Sequence, residues 1–512
     1  MQKNIVILGG GTAGWITAAR LAAEGILIDN EPVSITLIES SDVPTIGVGE
    51  GTWPSMRATL EKIGINESEF LHFCQATFKQ GSRFINWRSE SKEYYDHPFT
   101  TPPLIGRAAL GIAYRDAKSL ASFSHWVCLQ SHIIDAQCAP KQLHTPDYAG
   151  VLNYGYHLDA GKFAELLKKH AVNRLGVTHI VGHFDRAELT DKNHISALFL
   201  NDGMKVEGDF FVDASGTHNQ LIGGYLESDL ISLSDVSPND RALAIQVPYQ
   251  NTNEAICSAT LSTAQEAGWI WDIGLQHRRG VGYVYSSKFT TDERAQETLA
   301  AYAAALNPKV DINSARKLTI NPGYRAQPWV GNCVAIGMAA GFIEPLEASA
   351  LVMVELAVGY LCESLPAPVA ALDGIAQRYN ALFVERWSRI RDFLQLHYLL
   401  SDRRDSAYWR HVTDAIPVND RLKSLLEEWR YRDPQLNDFG HFMELFPPAS
   451  YQYVLLGMQP SYMQACIARN SDKSSELLKE IEKLKAKREH YLANLPTNRV
   501  YFNKLQEKIM VN

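Results

Sequence analysis

The stretch Asn4-Ile5-Val6-Ile7-Leu8-Gly9-Gly10-Gly11-Thr12-Ala13-Gly14-Trp15 decides the fold. Its apolar first residues predict a short parallel strand buried on both faces. Glycines follow at 9, 11 and 14, and the alanine- and leucine-rich stretch from Trp15 to Ala23 predicts a helix. Ser34-Ile35-Thr36-Leu37-Ile38 predicts a second strand, ending at Glu39. In such a β-α-β unit the first glycine permits the tight turn, the second lets a pyrophosphate approach the backbone, and the third lets helix and strand pack closely. Free N–H groups at the start of the helix, around Thr12 and Ala13, favour phosphate. Glu39 is placed to accept from ribose hydroxyls. The alternative is a plain glycine-rich turn, which the order strand, glycines, helix, strand, acid disfavours.

Outward from this unit, Thr45-Ile46-Gly47-Val48-Gly49-Glu50 supplies a second glycine-containing loop. Asp209-Phe210-Phe211-Val212 predicts a strand running into Asp213-Ala214-Ser215-Gly216, and Val334-Ala335-Ile336-Gly337 another apolar piece. A distributed set of this kind (Gly47, Val48, Gly49, Glu50, Asp213 and Gly337 added to the first loop) suits a long FAD better than a nicotinamide cofactor. The chain shows no second G-x-G-x-x-G unit for NAD(P)H, so a flavin would have to arrive already reduced. The predicted fold is α/β. An FAD-binding Rossmann-like sheet domain of the flavin monooxygenase type spans residues 1–360, with inserted substrate-pocket segments at about 80–150 and 230–320. A mainly helical C-terminal subdomain, 361–512, covers the substrate chamber. Within it Leu477, Leu478, Ile481 and Leu484 recur at helical spacing, which predicts an amphipathic helix over Ser474–Ala493 docked on the body rather than a coiled-coil strand.

A formal charge of -8 argues against a nucleic-acid surface. The densest basic cluster, His277-Arg278-Arg279, reads as a solvated loop. Seven scattered cysteines, none in a CxxC pair, predict a reducing compartment with no disulfide framework and no metal site. The run Val334–Leu361 is interrupted by Glu344, Pro345, Glu347 and Glu355, which makes it a buried core segment rather than a membrane span. The expected location is cytoplasmic, and the sequence is compatible with a homodimer.

Several ordered segments together resemble the flavin-dependent tryptophan halogenases. They are Gly9 to Trp15; Gly47-Val48-Gly49-Glu50 with Pro54; Ala76-Thr77-Phe78-Lys79; Tyr156-His157-Leu158-Asp159-Ala160; Trp269-Ile270-Trp271-Asp272-Ile273-Gly274; and Glu344-Pro345-Leu346-Glu347-Ala348. Two positions depart from the family pattern. Gly274 stands where the family has proline, and Ala348-Ser349-Ala350 where it usually has Ser-Thr-Gly after the glutamate.

The resemblance implies an enzyme that takes FADH2 from a separate NADH-dependent reductase. With oxygen and chloride or bromide it would make hypohalous acid, which crosses the protein to halogenate an electron-rich arene, an indole type or tryptophan. It makes Lys79 the group that presents the halogen and Glu347 the carboxylate that assists deprotonation. The amides of Ser349 and Ala350 become the halide site, His97 and Phe99 ring contacts of the substrate, and Trp269 and Trp271 a wall between flavin and substrate chambers. Each has a plainer reading: a solvated lysine, a helix-capping acid, a loop histidine with a buried phenylalanine, and core tryptophans on one strand face. The late segment Glu444 to Tyr453 does not match, residue by residue, the clamp that holds an amino-acid group in relatives acting on free tryptophan. The rivals are a flavin-dependent aromatic monooxygenase, which Gly274 favours, and a catalytically silent flavin-binding protein, which Lys79 and Glu347 disfavour.

Overall fold

A computed structural model of the protein describes residues 3–42, 49–90, 93–105, 110–117, 121–365, 371–440, 444–463 and 471–511. The expected readings of Gly47 and Val48 lie outside them. The chain divides into two compact units, each built from three separated segments. The first comprises residues 1–76, 158–233 and 321–387, and the second 77–157, 234–320 and 388–512.

The first unit is organised by the strand Lys3–Leu8, whose last four residues are buried. It pairs in parallel with Glu31–Glu39 on one side and Phe210–Asp213 on the other. Phe210–Asp213 pairs in turn with Cys333–Ala335, and Glu31–Glu39 with Thr178–Val181, all parallel. Helices Thr12–Glu24, Ala160–Leu175 and Ser349–Ser364 belong to the same unit. A core of Val6, Leu8, Ile38, Leu198, Phe211 and Ile222 lies behind the sheet. The predicted β-α-β unit and the strands after 209 and near 334 are therefore present, and the Rossmann-like sheet is the observed fold. Val334–Leu361 is also internal: a strand, a short 3-10 turn at Gly337–Ala339 and a buried helix. Among the described residues no helix is long and apolar enough to cross a membrane.

The second unit holds a seven-stranded sheet in the order Arg316–Thr319, Arg241–Pro248, Arg278–Tyr285, Gly268–Gly274, Thr260–Gln265, Gly81–Ile85, Tyr94–Pro98. The first five run antiparallel to their neighbours, and Gly81–Ile85 joins Thr260–Gln265 in parallel. Thr77–Lys79 and Gly155–Leu158 form a separate antiparallel pair. The late amphipathic pattern is a helix, Ser471–Asn494, and it is docked. Leu477 and Ile481 are buried in a cluster with Leu110, Phe123 and Tyr453, while Leu478 is exposed.

One expectation is overturned. Arg278 and Arg279 are not in a solvated loop; they open the strand Arg278–Tyr285, and only His277 is exposed. Arg279 lies 3.1 Å from the buried carboxylate of Asp272 and over the ring of Tyr249. A three-residue basic run carries no information about such a partner, which comes from the neighbouring strand.

Helix Ser349–Ser364 carries a buried carboxylate, Glu355, which accepts from the hydroxyls of Ser55 (2.7 Å) and Thr59 (2.6 Å). Burial, only partly offset by these two bonds, pushes its pKa up from 4.5 to about 7. The folded protein thus keeps this proton where the unfolded chain has lost it. The resulting stabilisation is complete below pH 4.5 and is lost as pH rises through 7, on the order of 3 kcal/mol over the whole window. Glu355→Gln is expected to flatten the fall in stability between pH 4.5 and 7, measured by urea denaturation at several pH values. An unchanged slope would show that Glu355 does not hold its proton in the fold.

Candidate active site

In the first unit the glycine loop is built by close approach. Gly9 has a φ of +121°, and a side chain there would begin 2.1 Å from the carbonyl oxygen of Ala214. At Gly14 a Cβ would lie 1.9 Å from the Gly9 carbonyl oxygen. Gly11 is different, for no protein atom lies within 4 Å of its would-be Cβ. It also caps helix Thr12–Glu24 without any side-chain bond, so the first amides of the helix have no side-chain acceptor at the cap. Open space, an uncapped helix start and close backbone together fit a dinucleotide pyrophosphate.

Glu39 ends its strand against Gly10, where a Cβ would meet its Oε2 at 1.8 Å. Its Oε1 lies 2.5 Å from Lys168 Nζ and 2.8 Å from His179 Nε2. Thr12 is buried, and Ala13 lies under Gly337, whose Cβ would come 2.7 Å from it and whose φ is +67°. Gly49 has a φ of +89°, and burial pushes the carboxyl of Glu50 up to about 7. Asp213 is fully buried and organises the loop after its strand. It accepts from the amide and hydroxyl of Ser215 and from the amides of Leu221 and Ile222, at 2.6–3.0 Å.

The segment before helix Ser349–Ser364 turns at Ala348, whose φ of +54° is left-handed and costly for a residue with a side chain. Trp53 donates its indole N–H to the Glu347 carbonyl at 2.8 Å. Glu344, Glu347 and Ser349 are all buried. The amides of Ser349 and Ala350 therefore sit in the first turn of a helix that lacks a side-chain cap.

Lys79, in the second unit, is 1% exposed, with its ammonium 5.5 Å from the centroid of the Phe99 ring. Its strand is tied at both ends: the Thr77 hydroxyl donates to the Gly274 carbonyl, and the Gln80 amide to that of Ser258. At Gly274 a Cβ would come 3.2 Å from both Ile256 and the Tyr249 hydroxyl. His97, in the strand Tyr94–Pro98, and Phe99 just beyond it are held from several directions. His97 Nε2 lies 2.9 Å from the Ser450 hydroxyl, and its ring 5.8 Å from that of Phe393. Asn153 donates to the Phe99 carbonyl, and Tyr453 to that of Thr100. Trp269 and Trp271 are both buried, 6.4 Å apart; Trp271 covers Gly282, and Trp269 faces Trp87. Ser450, Asn153 and Trp87 carry no local signal, so sequence reasoning missed them as supports.

His125, His132 and Asp135 bring ligand atoms within 4.8 Å of one another. Asp135 is already compensated by Arg83 at 2.6 Å and His125 at 2.8 Å. Burial alone would raise its carboxyl, but those two partners hold it down at about 2.

The sequence profile of the tryptophan halogenase family matches residues 4–472. The chain belongs to the tryptophan halogenase family. Tryptophan 6-halogenase SttH of Streptomyces toxytricini is 31% identical over 528 residues, covering 99% of each chain. The crystal structure of a tryptophan halogenase from Shewanella frigidimarina superposes with a TM-score of 0.93 at 44% identity, over 99% of this chain and 98% of that one. BrvH, a flavin-dependent halogenase from Brevundimonas sp. BAL3, gives 0.85 at 30% identity over 99% of both chains. This member of the family is thus a flavin-dependent halogenase.

The two glycines of the loop are separable by experiment. Gly14→Ala presses on the Gly9 carbonyl and is expected to cost about 1–3 kcal/mol of stability. Gly11→Ala meets no protein atom, so it should melt within about 1 kcal/mol of the parent while binding FAD at least about tenfold more weakly. Denaturation curves and flavin-fluorescence titrations of both variants check this. A Gly11→Ala protein with parental flavin affinity would remove Gly11 from the cradle.

Proposed function

We propose that this halogenase binds FAD in the first unit and uses Lys79 and Glu347 to halogenate a small indole-type arene with hypochlorous or hypobromous acid. The burial of Lys79 against Phe99, on a strand tied at both ends, is the observation that carries the reading. When bound in reduced form, the flavin supplies with oxygen the oxidising power that turns a halide into hypohalous acid. Gly9, Gly11, Gly14 and the first amides of helix Thr12–Glu24 would hold its pyrophosphate, and Glu39 its ribose. Gly49, Glu50 and Gly337 would flank it, with Asp213 shaping the adjoining loop. The amides of Ser349 and Ala350 supply a helix start suited to chloride or bromide.

In the halogenation step the Lys79 ammonium donates a hydrogen bond to the oxygen of the hypohalous acid. The halogen–oxygen bond breaks as ring carbon bonds to halogen, and the departing hydroxide takes a proton from the Lys79 ammonium and leaves as water. Glu347 accepts the proton lost from that carbon, a general-base role typically contributing about 10²–10⁴-fold. His97 and Phe99 supply ring faces, Trp269 and Trp271 a rigid apolar wall. Arginine does not replace Lys79, because its wide planar fork cannot act as a compact donor or form a haloamine.

The substrate is better matched by an arene without an amino-acid tail. Glu444, the acid of the late segment, is buried and faces Arg389 at 3.7 Å and Arg421 at 4.0 Å. A carboxylate already compensated in this way is a poor holder of a substrate ammonium.

Mass spectrometry of indole and tryptophan incubated with the protein, FAD, NADH and a flavin reductase, in chloride and separately in bromide, tests the reading. The expected result is a halogen isotope doublet, stronger from indole, that needs both proteins. Lys79→Ala should lower its rate by at least about 10²-fold with FAD affinity unchanged. A product heavier by one oxygen, formed without halide, would favour the monooxygenase instead. Full activity in Lys79→Ala would remove the lysine from the chemistry.

A further inference from the structure

Lys79 does not sit alone on its face of the ladder. In the pair Thr77–Lys79 and Gly155–Leu158, Thr77 stands opposite His157 and Lys79 opposite Gly155. Side chains alternate along strands, so Thr77, Lys79 and His157 share one face, with Lys79 and His157 as diagonal neighbours. The other face carries Phe78, which packs against Tyr154, Tyr501 and Phe502. The Thr77 hydroxyl is committed to the Gly274 carbonyl at 2.5 Å.

His157 is fully buried. Its Nε2 lies 2.8 Å from the Thr260 hydroxyl, and its Nδ1 has no hydrogen-bond partner among the described residues. A buried polar atom left unmatched is costly, and a histidine paired at one nitrogen only calls for a use of the other. Two tautomers are available. With the proton on Nδ1, an N–H would be buried without an acceptor beside a neighbouring ammonium. With the proton on Nε2, donated to Thr260, the Nδ1 lone pair is left on the side of a positive charge that attracts it. Burial, together with the charge of Lys79, pushes the imidazole well below its ordinary range, so the ring is neutral.

We infer that His157 is a positioning residue for the reaction proposed for Lys79. Its imidazole, fixed at Nε2 by Thr260, presents Nδ1 as an acceptor on the ladder face that carries the Lys79 ammonium, reached through a water. One N–H of the ammonium is thereby engaged and its orientation toward the halogenating species set. A flexible four-carbon side chain needs such a constraint, since a misplacement of about 1 Å can cost on the order of 10²-fold in rate. This assignment rests on the reading of Lys79 given above.

Two substitutions separate the two nitrogens. In His157→Asn the amide oxygen stands near the place of Nδ1 and the Thr260 bond is lost. In His157→Gln the amide reaches the place of Nε2 and the acceptor at Nδ1 is lost. The assay is bromination of indole by the full chain with FAD and a reductase, with kcat and KM measured separately. Flavin affinity and melting temperature serve as checks of folding. His157→Gln is expected to lower kcat about 10- to 100-fold with the KM for indole within about twofold. His157→Asn should stay within about threefold of the parent. A purely structural histidine would give the reverse order, because glutamine keeps the Thr260 contact; that order, or parental kcat in folded His157→Gln, overturns the proposal. Thr260→Val leaves the imidazole in place and frees its tautomer. It should lower kcat by about 3- to 10-fold at constant KM, and an unchanged kcat also overturns the assignment. Full activity in Lys79→Ala would instead defeat the reading of the lysine itself.

Discussion

The carbonyl oxygen of Gly9 lies where a side chain on Gly14 would begin, and the first unit is arranged around that contact. It lets helix Thr12–Glu24 start directly from the strand Lys3–Leu8, with its first amides uncapped and facing open space at Gly11. The same close packing brings the carbonyl of Ala214 against Gly9 and places Gly337 over Ala13, so three separated loops converge on one helix start. Asp213 keeps the second of these loops in shape by taking four hydrogen bonds, a satisfied buried carboxylate rather than a strained one. Binding of a negatively charged cofactor then needs little reorganisation, because the donors are backbone groups already fixed by the fold.

The second unit solves a different problem, that of holding charged and polar side chains in an apolar interior. Asp272 is buried and is matched by Arg279; Arg83 bridges Asp96 and Asp135. Unpaired, such charges would be costly, and each of these is paired within bonding distance. Lys79 belongs to the same class of buried ion. It is carried on a short strand paired on one side with Gly155–Leu158 and tied near both ends, so its position is a property of the sheet and not of a loop. Phe99 beside Lys79, and Phe393 and Tyr453 around His97, add shape while demanding few hydrogen bonds.

Where the determinants were local, the sequence alone settled the outcome. Strand, glycine spacing, helix and acid between Asn4 and Glu39 specify a β-α-β unit, because glycine placement and hydrophobic period act within some thirty-five residues. The ordered motifs from Gly9 to Ala348 were enough to indicate the family that the comparisons show. The helix over Ser471–Asn494 likewise followed from the spacing of Leu477 and Ile481. The tertiary structure alone decided what depends on partners distant in the chain. Arg278 and Arg279 look like a solvated run until strand pairing sets Arg279 beside Asp272. Glu444 looks available until helix packing brings Arg389 and Arg421 to it. His157 was visible only as a motif letter; strand register put it on the face of Lys79, and folding bound its Nε2 to Thr260 and left its Nδ1 without a hydrogen-bond partner among the described residues. Local periodicity determines which element a residue joins. Its neighbours across a sheet, and so its charge state and chemistry, are set by register and burial, which no short stretch of sequence encodes.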